Sequence, residues 1–179
     1  SLGALHTPKV LMQSGVGPAD ELRGHGVAVV QDLPGVGLNH QDHIAFGCTW
    51  EYRRPQQVGG SGCEAVVYAR SDAALEAPDL LQCQLEFAVP SPEGTPPPEH
   101  GWTMFAGLAQ PKSRGRVRLS GPDPDDRILV EPNTLGAPED LDAALRTIEL
   151  AREIGASPLL ADLAPREATP RPRARAGME

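Results

Sequence analysis

The sequence predicts an α+β fold, with an antiparallel sheet and helices on one side of it. Three observations carry that expectation. Short runs of β-branched and aromatic residues recur between about residue 44 and residue 131, bounded by Gly, Pro and Asp clusters. Glycine and proline number 19 each, too many turn-formers for a helical bundle. One later segment, residues 138–154, carries a clear helical period.

Taken in order, Thr7-Pro8 ahead of Lys9-Val10-Leu11-Met12-Gln13-Ser14 and Gly15 predicts a short helix. Thr7 is its expected N-cap, Pro8 its first helical residue and Gly15 its left-handed stop. A second short helix is expected over 18–23, ended by Gly24 or Gly26, then a brief strand over 27–30 and a Gly-rich turn over 32–37. Strands are expected over 45–52, 63–70, 80–89, 103–109, 116–120 and 128–131, with an exposed Pro-rich loop at 90–100. In the long helix, Leu141, Ala144, Leu145, Ile148, Ala151 and Ile154 fall on one face. Glu139, Asp140 and Asp142 suit its positive end, Asp142 and Arg146 can pair, and Gly155 with Pro158 stops it. After Leu163 the pattern dissolves into Pro, Arg and Ala.

Composition excludes several function classes. Net charge is -8 and no Lys/Arg run interleaves with aromatics, which argues against a nucleic-acid partner. No apolar stretch approaches the roughly 20 residues that span a bilayer, so no membrane partner is expected. Three cysteines fit neither a disulfide framework nor a zinc site, and point to reduced thiols in a cytoplasmic protein. His40 and His43 lack a convergent third ligand, so no metal is expected. His40 is expected to be exposed, and Asp42 and His43 to fix a loop by hydrogen bonding.

The segment Gly3-Ala4-Leu5-His6-Thr7-Pro8-Lys9-Val10-Leu11-Met12-Gln13-Ser14-Gly15-Val16-Gly17 resembles the second signature of the glucose-methanol-choline (GMC) oxidoreductases. The continuation Asp32-Leu33-Pro34-Gly35-Val36-Gly37-Leu38-Asn39 with Asp42-His43 resembles their choline-dehydrogenase branch. Further on, Pro111-Lys112-Ser113-Arg114-Gly115-Arg116-Val117-Arg118-Leu119, Asp123-Pro124, Glu131-Pro132-Asn133 and Glu139-Asp140-Leu141 resemble the start of that family's C-terminal substrate domain.

The resemblance implies residues 1–40 as the end of a Rossmann-like FAD-binding domain. It implies 41–163 as a partial substrate domain, an antiparallel sheet with flanking helices, and leaves 164–179 as a divergent Pro/Arg-rich tail. It implies FAD as cofactor and oxidation of a small-molecule alcohol at its CH–OH group, by hydride transfer to the flavin. Gly3, Ala4 and Thr7 are then expected near the flavin's nucleotide portion, where small residues permit close approach. Ordinary helix–strand packing is the plainer reading of the same residues. Glu86 and Phe87 are expected in a wall of the substrate cavity, against a plainer reading as a solvent-facing Glu and a core Phe. Trp50 and Trp102 carry the same pair of readings.

No strand leads into Gly-x-Gly-x-x-Gly, and no His-Pro-x-Gly-Thr stretch occurs, so no catalytic residue is assigned. The expectation is therefore an incomplete stretch of such an enzyme, inactive alone and unable to hold FAD. A non-catalytic remnant, or a module that folds only beside a partner chain carrying the flavin domain, is the alternative. The tail reads either as the product of a frameshift in GC-rich DNA or as a disordered extension. A sheet without its flavin domain is expected to expose an apolar face and to aggregate or order only partly.

Overall fold

The computed structural model describes residues 2–92 and 94–170, so residues 171–179 of the expected tail lie outside it. The elements run α1 (Gly3–Gln13), β1 (Val16–Gly17), α2 (Ala19–Gly24), β2 (Gln31–Asp32), β3 (Leu38–His40), β4 (Ile44–Glu51) and β5 (Ala65–Ala69). They continue with β6 (Leu80–Leu85), β7 (Gly101–Leu108), β8 (Gly115–Leu119), β9 (Ile128–Glu131), α3 (Pro138–Gly155), α4 (Pro158–Leu163) and β10 (Arg166–Thr169). These elements divide into two units that do not follow chain order. Residues 1–42 and 111–138 make the first, and 43–110 with 139–179 make the second.

In the first unit, β3, β8 and β9 form a three-stranded antiparallel sheet, and β1 pairs with β2 in parallel. Helix α1 starts at Gly3, earlier than the sequence predicts, because Gly3 adopts φ +76° as the chain turns in. Thr7 consequently lies inside the helix rather than at its cap, and its Oγ1 accepts the Leu2 backbone N–H at 3.0 Å. Pro8 is tolerated there because its missing N–H forfeits only the bond to the Ala4 carbonyl.

Met12, Leu22 and Leu119 form the core of this unit, with Val27, Val29 and Val36 packed around them. Burying each large side chain is worth about 1.5–3 kcal/mol. The expected strand at 27–30 is absent: Val27 and Val29 serve that core, and the pairing begins at Gln31. Polar contacts bind the returning segment. Lys9 Nζ donates to the Pro124 and Asp126 carbonyls, both at 2.6 Å, and the Leu119 N–H donates to Glu21 Oε1 at 3.0 Å. Gly37 (φ +85°) lies directly against the Val117 carbonyl, where a Cβ would collide, and its own carbonyl accepts the Val117 N–H at 2.6 Å.

The second unit is a five-stranded antiparallel sheet in the order β10-β4-β7-β6-β5, with α3 and α4. Trp50 and Trp102 face each other across β4 and β7 and stack, with ring centroids 4.5 Å apart. Cys48, Met104, Ala106, Ala151 and Ala164 complete that core, while Leu80, Leu108 and Ala143 form a second cluster. Trp50 and Trp102 are thus core residues. On the opposite face, Thr49 and Thr103 share a buried hydroxyl–hydroxyl hydrogen bond of 3.0 Å.

Helix α3 keeps its expected extent, and Ala144, Ile148, Ala151 and Ile154 face the core as expected, but its buried face is rotated away from Leu141 and Leu145. Asp140, Ala143, Ala144, Thr147, Ala151 and Gly155 are buried, whereas Leu141 and Leu145 are 39% and 40% exposed. The stacked indoles already fill the space above the sheet, so the helix presents small residues there. Arg146 pairs with Glu153 at 2.7 Å and Glu149 at 3.7 Å instead of with Asp142.

The chain also stays ordered beyond Leu163. Residues Arg166–Thr169 add β10 to the edge of β4, where Arg166 pairs with Glu51 at 3.1 Å and Arg152 with Glu167 at 2.9 Å. Among the described residues no helix is long and apolar enough to cross a membrane.

Candidate functional site

Strand β6 ends at Leu85, so Glu86 and Phe87 follow it in a bend rather than closing the strand. There they line a cleft of about 350 Å³ together with Tyr52, Val58, Glu99 and His100. Tyr52 follows β4 and His100 precedes β7. The β4–β7 ladder brings them together, and the Tyr52 N–H donates to the His100 carbonyl at 3.0 Å.

Glu86 is fixed from both ends. Its Oε2 accepts the Gly59 N–H at 2.6 Å, and its own N–H donates to the Gly62 carbonyl at 2.9 Å. Phe87 is 47% exposed, a wall of the cleft rather than a core residue, and its ring lies close to Gly62. Burial, and then the negative charge of Glu86, hold the Tyr52 phenol above its ordinary range, so it remains a neutral hydroxyl donor at neutral pH. Glu99 and His100 are 3.8 Å apart, beyond hydrogen-bond length. The lining therefore offers an aromatic wall, an anchored carboxyl and a phenol, groups that bind and orient a small polar molecule.

The first unit has a wider cavity of about 710 Å³ bordered by Leu38, Asn39, Arg114, Arg116, Glu131 and Asn133. Its one carboxylate, Glu131, is already paired. Glu131 accepts from Arg116 at 2.5 Å and Arg118 at 3.2 Å, and Arg116 in particular holds its carboxyl below the usual range. Arg114 donates to the Pro111 and Ser113 carbonyls at 2.6 and 3.0 Å and so fixes a turn.

Gly3 and Ala4 stand exposed in the first turn of α1 and Thr7 is half-buried just behind them, all in the first unit, whereas Glu86 and Phe87 belong to the second. His40 differs from expectation: it is half-buried, with Nδ1 shut away from solvent. Among the described residues no group of three or more His, Cys, Asp or Glu is placed to hold a metal.

The strand-to-helix junctions do not suit a dinucleotide. A pyrophosphate needs free N–H groups and positive potential at a helix start. At β1–α2 the Ala19 N–H already donates to Asp32 Oδ1 at 3.0 Å, and Asp20 and Glu21 fill the first turn. At β9–α3 the first turn carries Glu139 and Asp140. Those two helix starts therefore do not offer a pyrophosphate site.

Residues 111–178 match the family model for GMC oxidoreductase. The chain is 35% identical over 176 residues to choline oxidase of Arthrobacter globiformis, covering 95% of this chain and 32% of that protein. It is 34% identical over 197 residues to the alcohol dehydrogenase (acceptor) of Pseudomonas putida, covering 96% of this chain and 36% of that protein. Pyridoxine 4-oxidase from Mesorbium loti superposes with a TM-score of 0.85 at 34% identity, over 94% of this chain and 34% of that one. The chain is thus similar to GMC oxidoreductases, choline oxidase and choline dehydrogenases among them, and spans about a third of the length of the relatives it matches.

Tyr52, Val58 and His100 escaped sequence reasoning, because no local motif marks them. Only the pairing of Trp50 with Trp102 carries the register on to Tyr52 and His100.

Proposed function

We propose that these residues form the sheet and cavity wall of an FAD-dependent oxidoreductase that oxidises the CH–OH group of a small alcohol. The cleft carries the reading, because Glu86 and Phe87 line it beside Tyr52, in a chain related along most of its length to choline oxidase and pyridoxine 4-oxidase. Phe87 packs against the apolar part of the substrate, Glu86 selects for its polar part, and the Tyr52 hydroxyl orients it. FAD is held by a flavin-binding portion or partner chain outside these residues, with Gly3, Ala4 and Thr7 bordering it. The chain alone is inactive. Its three free cysteines suit a cytoplasmic setting.

Equilibrium dialysis of the chain with FAD is expected to show no retention. In the whole flavin-containing protein, an alcohol should bleach the flavin absorbance under anaerobic conditions. Phe87→Ala and Glu86→Gln should raise KM more than they lower kcat. A flavin that no alcohol in a broad panel bleaches would sink the reading.

A further inference from the structure

The five-stranded sheet ends in two edges of opposite construction, β10 and β5. Strand β10 is short, slips register against β4, carries Arg166 and Glu167, and runs into Pro170. Those are devices that discourage further pairing. Strand β5, five residues long, lacks the slipped register and the proline, and its charges, Glu64 and Arg70, flank it rather than lie within it. Its sequence is Ala65-Val66-Val67-Tyr68-Ala69, in unbroken register with β6, and Val66, Val67 and Tyr68 are 49%, 44% and 65% exposed.

We propose that β5 pairs with the β5 of a second copy of this chain, antiparallel, about a two-fold axis at Val67. Backbone alternation permits that centre. The Ala69 carbonyl accepts the Asp79 N–H at 3.1 Å and so points toward β6, as do the backbone groups of Val67 and Ala65. The groups of Val66 and Tyr68 then face outward. With Val67 on the axis, Val66 of one copy exchanges both hydrogen bonds with the second copy's Tyr68, and the reverse. A β-branched residue therefore meets an aromatic one twice, a favourable cross-strand pair.

Charge selects this register over its neighbours. Glu64 and Arg70 flank the strand, and both are exposed. About Val67, each Glu64 stands opposite the second copy's Arg70, on the same face as the Val66–Tyr68 pairs. Centring on Tyr68 instead sets Glu64 opposite Asp72, with like charges. Centring on Val66 sets Arg70 opposite Gly62, with no ion pair. Only the Val67 centre matches every position.

Sedimentation equilibrium of the full chain should give a species of twice the 19.0 kDa chain mass. Glu64→Arg and Arg70→Glu each turn two attractions into repulsions, and each should weaken the dimer by about tenfold or more. The double variant restores opposite charges at both positions and should restore the dimer. Val67→Cys should cross-link to a covalent dimer under mild oxidation, above the wild-type background, while Ala65→Cys should not. Four outcomes overturn the proposal: a monomer at all concentrations, association that ignores the single reversals, a double variant that stays dissociated, or equal cross-linking from positions 65 and 67. A strand from elsewhere in a longer protein covering this edge would appear as the first of these.

Discussion

Gly155 lies against the indole of Trp50 with no room for a methyl group. A Cβ there would stand 3.0 Å from Trp50 Nε1 and closer still to two ring carbons. Gly155→Ala improves helix propensity by about 1 kcal/mol. It also forces the ring stack apart, at about 1–3 kcal/mol, so a net loss of stability is expected in urea titration. Gly24→Ala is the control: nothing lies within 4 Å of its Cβ position, and no comparable loss is expected.

The Gln82 side chain reaches up from β6 to α3. Its Nε2 donates to the Thr147 carbonyl at 2.8 Å and to Thr147 Oγ1 at 2.7 Å, and both residues are fully buried. Thr147→Val removes one acceptor and should cost about 1–3 kcal/mol. Gln82 Oε1 has no partner, so Gln82→Met in the Thr147→Val background removes that stranded oxygen together with the amide that lost an acceptor. The double variant should recover much of the loss, as a double-mutant cycle of unfolding free energies would read.

Lys9 fixes the 123–126 turn to α1 by donating to two backbone carbonyls. Lys9→Met keeps the stem but leaves both carbonyls without that donor, at about 1–3 kcal/mol. Hydrogen exchange should show the change at residues 123–131 and leave the five-stranded sheet unaltered.

Burial first, and Glu167 second, push the Cys48 thiol up to about 12, with Arg152 opposing. The folded protein thus favours the neutral thiol. That contribution is fully present below the ordinary thiol value of 9.0 and is lost as pH rises toward about 12. Tyr52, also raised, acts in the same direction above its ordinary value of 10.0. The melting temperature should fall between pH 9 and 12, and less steeply in Cys48→Ala. A wild-type slope no steeper than the variant's would contradict this assignment. In the native state Cys48 should also resist alkylation at pH 8.

The regular parts of the fold were legible because their signals are local. The strands from Ile44 to Glu131 announce themselves by β-branched runs between turn residues, and α3 by its period and its stop at Gly155. What escaped depends on contacts distant in sequence. The period of α3 marks Leu141 and Leu145 as core, yet Leu80 and Leu108 draw Ala143 inward and the Gln82 amide draws Thr147 inward. Strand β10 has no apolar alternation in Arg166-Glu167-Ala168-Thr169, and partners on β4 and α3 hold it. At the cleft, Glu86 and Phe87 were marked by resemblance, whereas Tyr52 and His100 meet through a ladder register that no motif encodes.

The first unit is sewn from two lengths of chain separated by most of the second, and this sets an order of events at the ribosome. When Met12 and Leu22 emerge, Leu119, which completes their core, is still untranslated. The Glu21 carboxylate waits 98 residues for the Leu119 amide, and Lys9 waits 115 and 117 for its carbonyls. During that interval Met12 of α1 lacks the Leu119 side chain that packs against it. Val10 and Leu11, still 44% and 39% exposed in the finished structure, extend the same sticky surface. Residues 1–42 therefore become safe only once residues 111–138 have been made, and a holdase acting on them during that interval has a physical reason to be there.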